Sequence, residues 1–146
     1  MEEIITTDSE SQTFELGKQF SKKIKPGDVI FLKGDLGAGK TTFVKGLAEG
    51  LGITKRIISP TFVIVRTHSL KGSSIKNLYH LDLYRLGTKE DVIGIDLKDY
   101  LEDETGIVAI EWPNVAQDFI NKEVWNVSFA VKKENKREIK LFYGKN

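Results

Sequence analysis

Residues 27–51 read GDVIFLKGDLGAGKTTFVKGLAEGL, and the order of residue types in that stretch decides the fold. Val29, Ile30, Phe31 and Leu32 form a short unbroken apolar run, the pattern of a parallel strand buried on both faces. Phe43, Val44, Leu47, Ala48 and Leu51 recur at helical spacing, and Gly50 and Gly52 supply a stop. Between strand and helix, Gly34, Gly39, Lys40 and Thr41 match the phosphate-loop pattern of glycine, four residues, then Gly-Lys-Thr. Glycines at 34, 37 and 39 let the backbone take positive φ and approach a ligand with no Cβ in the way. Successive N–H groups then converge on one anion, and the helix beginning near Lys40 adds its partly positive N-terminus. In that arrangement Lys40 bridges the terminal phosphates of a nucleotide and the Thr41 hydroxyl sits on Mg²⁺. A glycine-rich surface turn beside a core helix would also fit the loop letters, but strand, loop and helix stand in the order a phosphate loop requires.

The whole chain narrows the class further. Its 146 residues suit one domain, 1–146, long enough to bury a real core. Twenty-two Lys and Arg against twenty-one Asp and Glu leave a formal charge of +1, so no global field recruits nucleic acid or anionic lipid, and any such partner has to be held locally. The absence of cysteine excludes a disulfide framework and thiol chemistry and agrees with a reducing compartment. The opening MEEIITTDSE lacks the basic start and apolar stretch of a signal peptide, and no apolar run approaches the ~18 residues of a membrane span. The expectation is a soluble cytoplasmic protein with no membrane partner.

Working outward from the loop, Ile4 and Ile5 mark a short first strand, and Ser9 with Gln12 is a capping-box signature for a helix striped by Leu16, Phe20 and Ile24. Ser59-Pro60 breaks regular structure, and Phe62 to Ile64 reads as a strand. Lys71 to Ser74 forms a hairpin loop leading to IKNLYHLDLYRL, where Leu78, His80, Asp82 and Tyr84 share one face of a strand and Tyr79, Leu81 and Leu83 the other. Thr88 caps a helix, Leu97, Tyr100 and Leu101 belong to another, and the apolar run Ile107 to Ile110 ends in Glu111-Trp112-Pro113. Two strands around WNVSFAV and EIKLFY close the chain, joined by a turn at Glu134-Asn135. The fold class expected is α/β: a three-layer P-loop NTPase fold, mainly parallel, with the last hairpin adding antiparallel strands at an edge and right-handed crossovers.

A phosphate loop holds a nucleotide, whereas hydrolysis also needs acids that hold the metal's hydration shell and orient or deprotonate the attacking water. Glu111, at the tip of an apolar strand beside the loop strand, is placed for this, the alternative being a solvated carboxylate at a strand end. Asp82 is the second candidate, because a carboxylate between two leucines needs a cation or donors, and an ion pair with Arg85 is its alternative. His80 reads more readily as a hydrogen-bonded structural group than as a base. Thr61 offers a hydroxyl on a loop able to follow the γ-phosphate, or simply starts a strand. Trp112 and Trp125 could stack on a base or serve a partner surface, with core packing the default for each. For the base, the guanine-type string Thr88-Lys89-Glu90-Asp91 precedes the Glu111 strand and follows no apolar run, so adenine is favoured.

GDLGAGKTT, SPTF, HLDLYRL and IEWP, in this order and over this length, resemble the TsaE (YjeE) family, the small P-loop ATPases of bacterial tRNA threonylcarbamoyladenosine synthesis. The resemblance runs from Ser9 to about Arg137. It implies an ATPase, slow alone, that uses ATP and Mg²⁺, binds the TsaB and TsaD heterodimer and resets that complex between turnovers, meeting tRNA only through it. By motif it implies Asp35, Leu36, Gly37, Ala38, Gly39, Lys40, Thr41 and Thr42 as the nucleotide loop, Thr41 with Glu111 as the metal pair, Asp82 as an acid needed for activity, and Thr61 in a switch-like segment. Lys40 joins Asp82 and Glu111 as a catalytic group, and Ser9 and Arg137 are implied as further ATP contacts. Phe62 stands where the family often has Tyr. Two rival readings remain: a small-molecule kinase, against which the chain lacks a long arginine-rich lid, and a nucleotide-gated binding module in which hydrolysis is not required.

Overall fold

The computed structural model describes residues 2–57 and 64–145. The apolar run before the phosphate loop is strand β2 (Val29–Lys33), whose side chains enter two separate cores. Ile30 and Leu32 pack with Phe20, Phe43, Val44 and Leu47, while Val29 and Phe31 pack with Val92, Leu97, Ala116 and Ile120. A strand covered on both faces has no polar side to show, which is why the run carries no alternation.

Around β2 the sheet has seven strands in the order β1-β7-β6-β2-β5-β4-β3. Its middle is parallel: β6 (Val124–Val131), β2, β5 (Gly106–Glu111) and β4 (Asn77–Asp82). Antiparallel ladders attach β7 (Arg137–Gly144) and then β1 (Glu2–Thr7) on one side and β3 (Val65–Ser69) on the other. Helices α1 (Glu10–Phe20) and α2 (Lys40–Gly50) cover the first core. Helices α3 (Lys89–Gly94) and α4 (Leu97–Leu101), with a 3-10 helix over Pro113–Phe119, cover the second. This is the expected three-layer α/β P-loop arrangement, a parallel centre with antiparallel edges. No helix among the described residues is long and apolar enough to cross a membrane.

Several details differ from the sequence reading, each for a physical reason. The last hairpin does not form an edge: β6 lies beside β2, with Phe31 opposite Asn126, and the edge belongs to β1. Val124, Asn126 and Val127 are buried in β6, as an interior strand requires, whereas β1 alternates between exposed and partly covered residues, as an edge does. Helix α1 ends at Phe20, so Ile24 reaches the core from the turn beyond it. Strand β4 stops at Asp82, and Tyr84, outside it, is 50% exposed instead of sharing the strand face. Ile64 sits at φ 69° and β3 begins one residue later, while Ser59, Pro60, Thr61 and Phe62 lie outside the described residues.

One contact sets the position of the loop helix. A Cβ on Gly17 of α1 would lie 2.1 Å from the Phe43 carbonyl oxygen, and one on Gly46 of α2 would lie 1.9 Å from that of Phe14. Glycine at both positions lets α1 and α2 meet backbone to backbone, which carries the first turn of α1 up to the phosphate loop.

Candidate functional site

The starts of the three longest α-helices differ. Ser9 caps α1, its Oγ accepting from Gln12 N at 3.1 Å, while the Gln12 side chain accepts from Asp8 N at 2.7 Å. Thr88 caps α3 in a complete capping box with Asp91. Helix α2 has neither a side-chain cap nor an acid in its first turn, and it starts from Gly39 at φ 108°, a left-handed conformation that favours glycine. Its opening N–H groups have no side-chain acceptor from their own cap residue and stand at a cavity of about 360 Å³. An anion supplies what those donors and the helix dipole call for.

Leu36, Gly37, Ala38 and Gly39 line this cavity from the loop, and Lys40, Thr41 and Thr42 from the helix. Asp35 takes part through its main chain: Lys40 Nζ donates to the carbonyl of Asp35 at 3.0 Å and to that of Gly34. The same ammonium lies 4.3 Å from the centre of the Trp112 ring, and burial lowers its pKa while the charges of Glu111, Asp82 and Asp35 raise it. A cation held with so little water is suited to phosphate oxygens.

Strand register delivers the acids. Leu32 lies opposite Glu111 across β2 and β5, and Asp82 lies opposite Glu111 across β4 and β5, so both carboxylates arrive at the carboxyl ends of the strands beside α2. Glu111, 3% exposed, accepts from Thr41 Oγ1 at 3.2 and 3.1 Å. Its Oε2 is also 2.6 Å from His80 Nε2, and His80 is fully buried. Asp82, 7% exposed, lines the cavity and accepts from Tyr84 N at 3.0 Å.

The donor set fits Mg²⁺. A hydroxyl and a carboxylate are hard oxygen ligands, and adjacent corners of an Mg²⁺ octahedron are about 2.9 Å apart, close to the Thr41–Glu111 separations of 3.1 and 3.2 Å. Among the described residues no cluster of three or more His, Asp or Glu side chains is placed to cage a metal. A Thr41–Glu111 pair therefore leaves further positions to phosphate and water, as Mg²⁺ at nucleotides does.

Of the other candidates, Ser9 and Arg137 line the cavity and Thr61 lies outside the described residues. Arg137 Nη2 donates to the Gly37 carbonyl at 3.3 Å, and Nη1 faces the carbonyls of Lys133, Glu134 and Lys136 at 3.1 to 3.3 Å, so the guanidinium also ties the last hairpin to the loop. Trp125 packs on Phe20 and Tyr143 at 5.0 and 5.1 Å between centroids, the core role expected of it. Trp112 does not follow that default: at φ 57° it turns away from β5, stacks on Tyr84 at 4.8 Å and lines the cavity under Lys40. Glu10, Thr13 and Asn135 were also missed. Glu10 and Thr13 lie within one helical turn of Ser9, a spacing that could have found them, while Asn135 depends on where the hairpin folds back.

The family model described as threonylcarbamoyl adenosine biosynthesis protein TsaE matches residues 7–139. The chain is 38% identical over 128 residues to the tRNA threonylcarbamoyladenosine biosynthesis protein TsaE of Bacillus subtilis, covering 88% of this chain and 77% of that protein. It is 47% identical over 115 residues to the TsaE protein of a Nostoc species, covering 77% and 68%, and 36% identical over 131 residues to that of Treponema pallidum, covering 90% and 93%. It is also similar to the crystal structure of Bacillus subtilis YdiB, with a TM-score of 0.80 and 31% identity, covering 100% of this chain and 87% of that one.

Proposed function

The chain belongs to the TsaE family, and from that premise we propose that it is a single-domain P-loop ATPase, residues 1–146, serving tRNA threonylcarbamoyladenosine biosynthesis in the cytoplasm. The observation that carries this reading is the meeting of Lys40, Thr41 and Glu111 at the start of α2, an uncapped helix start that opens on the cavity.

ATP lays its polyphosphate along the loop from Leu36 to Thr42, where backbone N–H groups and the α2 dipole hold the charge. Lys40 exchanges the carbonyls of Gly34 and Asp35 for phosphate oxygens and offsets charge as the terminal phosphate leaves. Thr41 and Glu111 would hold Mg²⁺, which would supply neutralisation of the phosphate oxygens. Asp82 orients the attacking water and accepts its proton as the water oxygen bonds to the γ-phosphorus and the bond to the ADP oxygen breaks. Glu111 is the weaker choice for that step because His80 and Thr41 already engage its carboxylate. Ser9 and Arg137 approach the nucleoside end, and Thr61 belongs to the segment that responds to the γ-phosphate.

Hydrolysis serves a protein partner, the TsaB and TsaD heterodimer, by resetting it between rounds of modification, and tRNA is met only through that complex. A near-neutral chain has no overall field with which to hold tRNA by itself. The test is the ATPase rate of the pure protein with and without the TsaB and TsaD pair. Slow turnover alone and faster turnover with the pair is expected, and equal rates would overturn the partner-dependent reading.

A further inference from the structure

The chemistry proposed above makes no use of the most deeply buried titratable side chain on β4. His80 is 0% exposed, does not line the cavity, and puts Nε2 2.6 Å from Glu111 Oε2, while its Nδ1 is buried with no hydrogen-bond partner among the described residues. Since the Glu111 oxygen is an acceptor when ionised, Nε2 carries the hydrogen. The reverse tautomer would set two lone pairs against each other. His80 therefore donates from Nε2 to Glu111.

We propose that His80 is the positioning residue of the metal carboxylate: its Nε2–H fixes the Glu111 side chain so that the carboxylate faces Thr41 and a divalent cation. This rests on the reading of Thr41 and Glu111 as the Mg²⁺ pair. A glutamate has three rotatable side-chain bonds, and two influences pull this one elsewhere. Lys40 attracts it, their charges being coupled, and Asp82, opposite it on the next strand, repels it. The hydrogen bond to His80 holds the carboxylate against both. His80 lies opposite Ala109, two residues before Glu111 on the same strand and face, so two rigid parallel strands set the contact. Because Nε2 is occupied by Glu111 and the ring is shut off from the cavity, His80 acts only through Glu111.

Two amide substitutions separate this role from packing. In His80→Gln the amide nitrogen reaches the place of Nε2, and in His80→Asn it reaches only that of Nδ1. The readout is binding of a fluorescent non-hydrolysable ATP analogue, titrated with Mg²⁺, alongside its metal-free affinity and the melting temperature of each variant. His80→Asn should raise the Mg²⁺ concentration for half-maximal effect roughly 10- to 100-fold, with metal-free binding within about twofold of wild type, and His80→Gln should return it to within about threefold. Equal shifts in the two variants, or none, would overturn the proposal. If His80→Asn does not fold, His80→Gln against His80→Leu decides by the same difference. Thr41→Ala and Glu111→Gln are the controls. Should neither weaken the response to Mg²⁺, the metal pair itself is wrong, whereas a weakened response in both with an unchanged His80→Asn removes only the role of His80.

Discussion

Strands β4 and β5 hold a hydrogen-bonded carboxylate at each end, and the two ends differ in what shares the space. At the carboxyl ends, Glu111 receives Thr41 and His80 next to Lys40 and the cavity. At the opposite ends, Asp103 Oδ2 accepts from the Tyr79 hydroxyl at 2.6 Å and from Asn77 Nδ2 at 3.0 Å, and Oδ1 accepts from the amide and hydroxyl of Thr105 at 3.0 and 2.8 Å. The hydrogen bond from Tyr79 leads the causes that hold Asp103 well below the usual carboxylate range, and burial, then Asp103, pushes the Tyr79 hydroxyl up to about 12. A Cβ on Gly106 would come within 2.9 Å of Asp103 Oδ2, so backbone closes that end. Donors alone do not make a carboxylate reactive. An exchangeable hydroxyl, a desolvated cation and room for a ligand distinguish the Glu111 end, on which the proposed function rests.

Lys40→Ala should have the largest effect, lowering ATPase turnover by at least about 10²-fold by removing charge compensation at the terminal phosphate. Because burial already disfavours this ammonium, the variant should melt no lower than wild type. Turnover within tenfold of wild type would take the site away from this loop.

The two carboxylates should then part company. Glu111→Gln should lower turnover about 10²-fold and cost less than about 1 kcal/mol, since the amide oxygen can still accept from His80 and the Thr41 hydroxyl can turn to accept from the amide nitrogen. Asp103→Asn should leave turnover within about twofold and cost roughly 1–3 kcal/mol, because donors on Tyr79, Asn77 and Thr105 lose an ionised acceptor. Urea midpoints at constant m measure one arm and phosphate release the other. Similar losses in both readouts for both variants would erase the contrast between the ends.

Titration sharpens it further. Asp103 has a depressed folded pKa, so its contribution is present above the ordinary value of about 3.9 and is lost as pH falls through the lower folded value. The stability gap between wild type and Asp103→Asn should therefore persist at pH 4 and close only well below it. Tyr79 has a raised pKa, so its contribution is complete below pH 10 and lost as pH rises through about 12, and Tyr79→Phe should remove that alkaline loss. Urea unfolding across both ranges checks the two signs.

What could be read from sequence follows how local each feature is. The loop from Gly34 to Thr41 is contiguous, and Glu111 and Asp82 each close a recognisable apolar run, so their delivery to one cavity follows once β2, β5 and β4 lie parallel. The tie between His80 and Glu111 depends on a register between strands far apart in the chain, which no window of residues carries. The place of β6 inside the sheet is likewise a matter of strand order. Core packing is the default for a tryptophan, but a left-handed backbone angle after β5 turns Trp112 into the cavity. Arg137, assigned to the nucleotide by resemblance, shares its donors with the hairpin carbonyls and Gly37.

The smallest effects concern the two capped helix starts. Thr88→Ala and Ser9→Ala each remove an oxygen that accepts a backbone N–H, from Asp91 and Gln12, and each should cost about 1 kcal/mol. They should differ in nucleotide binding, because only Ser9 also lines the cavity. Its oxygen accepts from the helix and its O–H remains able to donate, so on the proposed reading of Ser9 as an ATP contact Ser9→Ala should raise the Kd for ATP about 2- to 10-fold, the worth of one ordinary hydrogen bond, and Thr88→Ala should leave it unchanged. Calorimetry on the two variants measures this directly. An equal Kd in both would reduce Ser9 to the same purely structural cap as Thr88 and pull the nucleoside away from the first turn of α1.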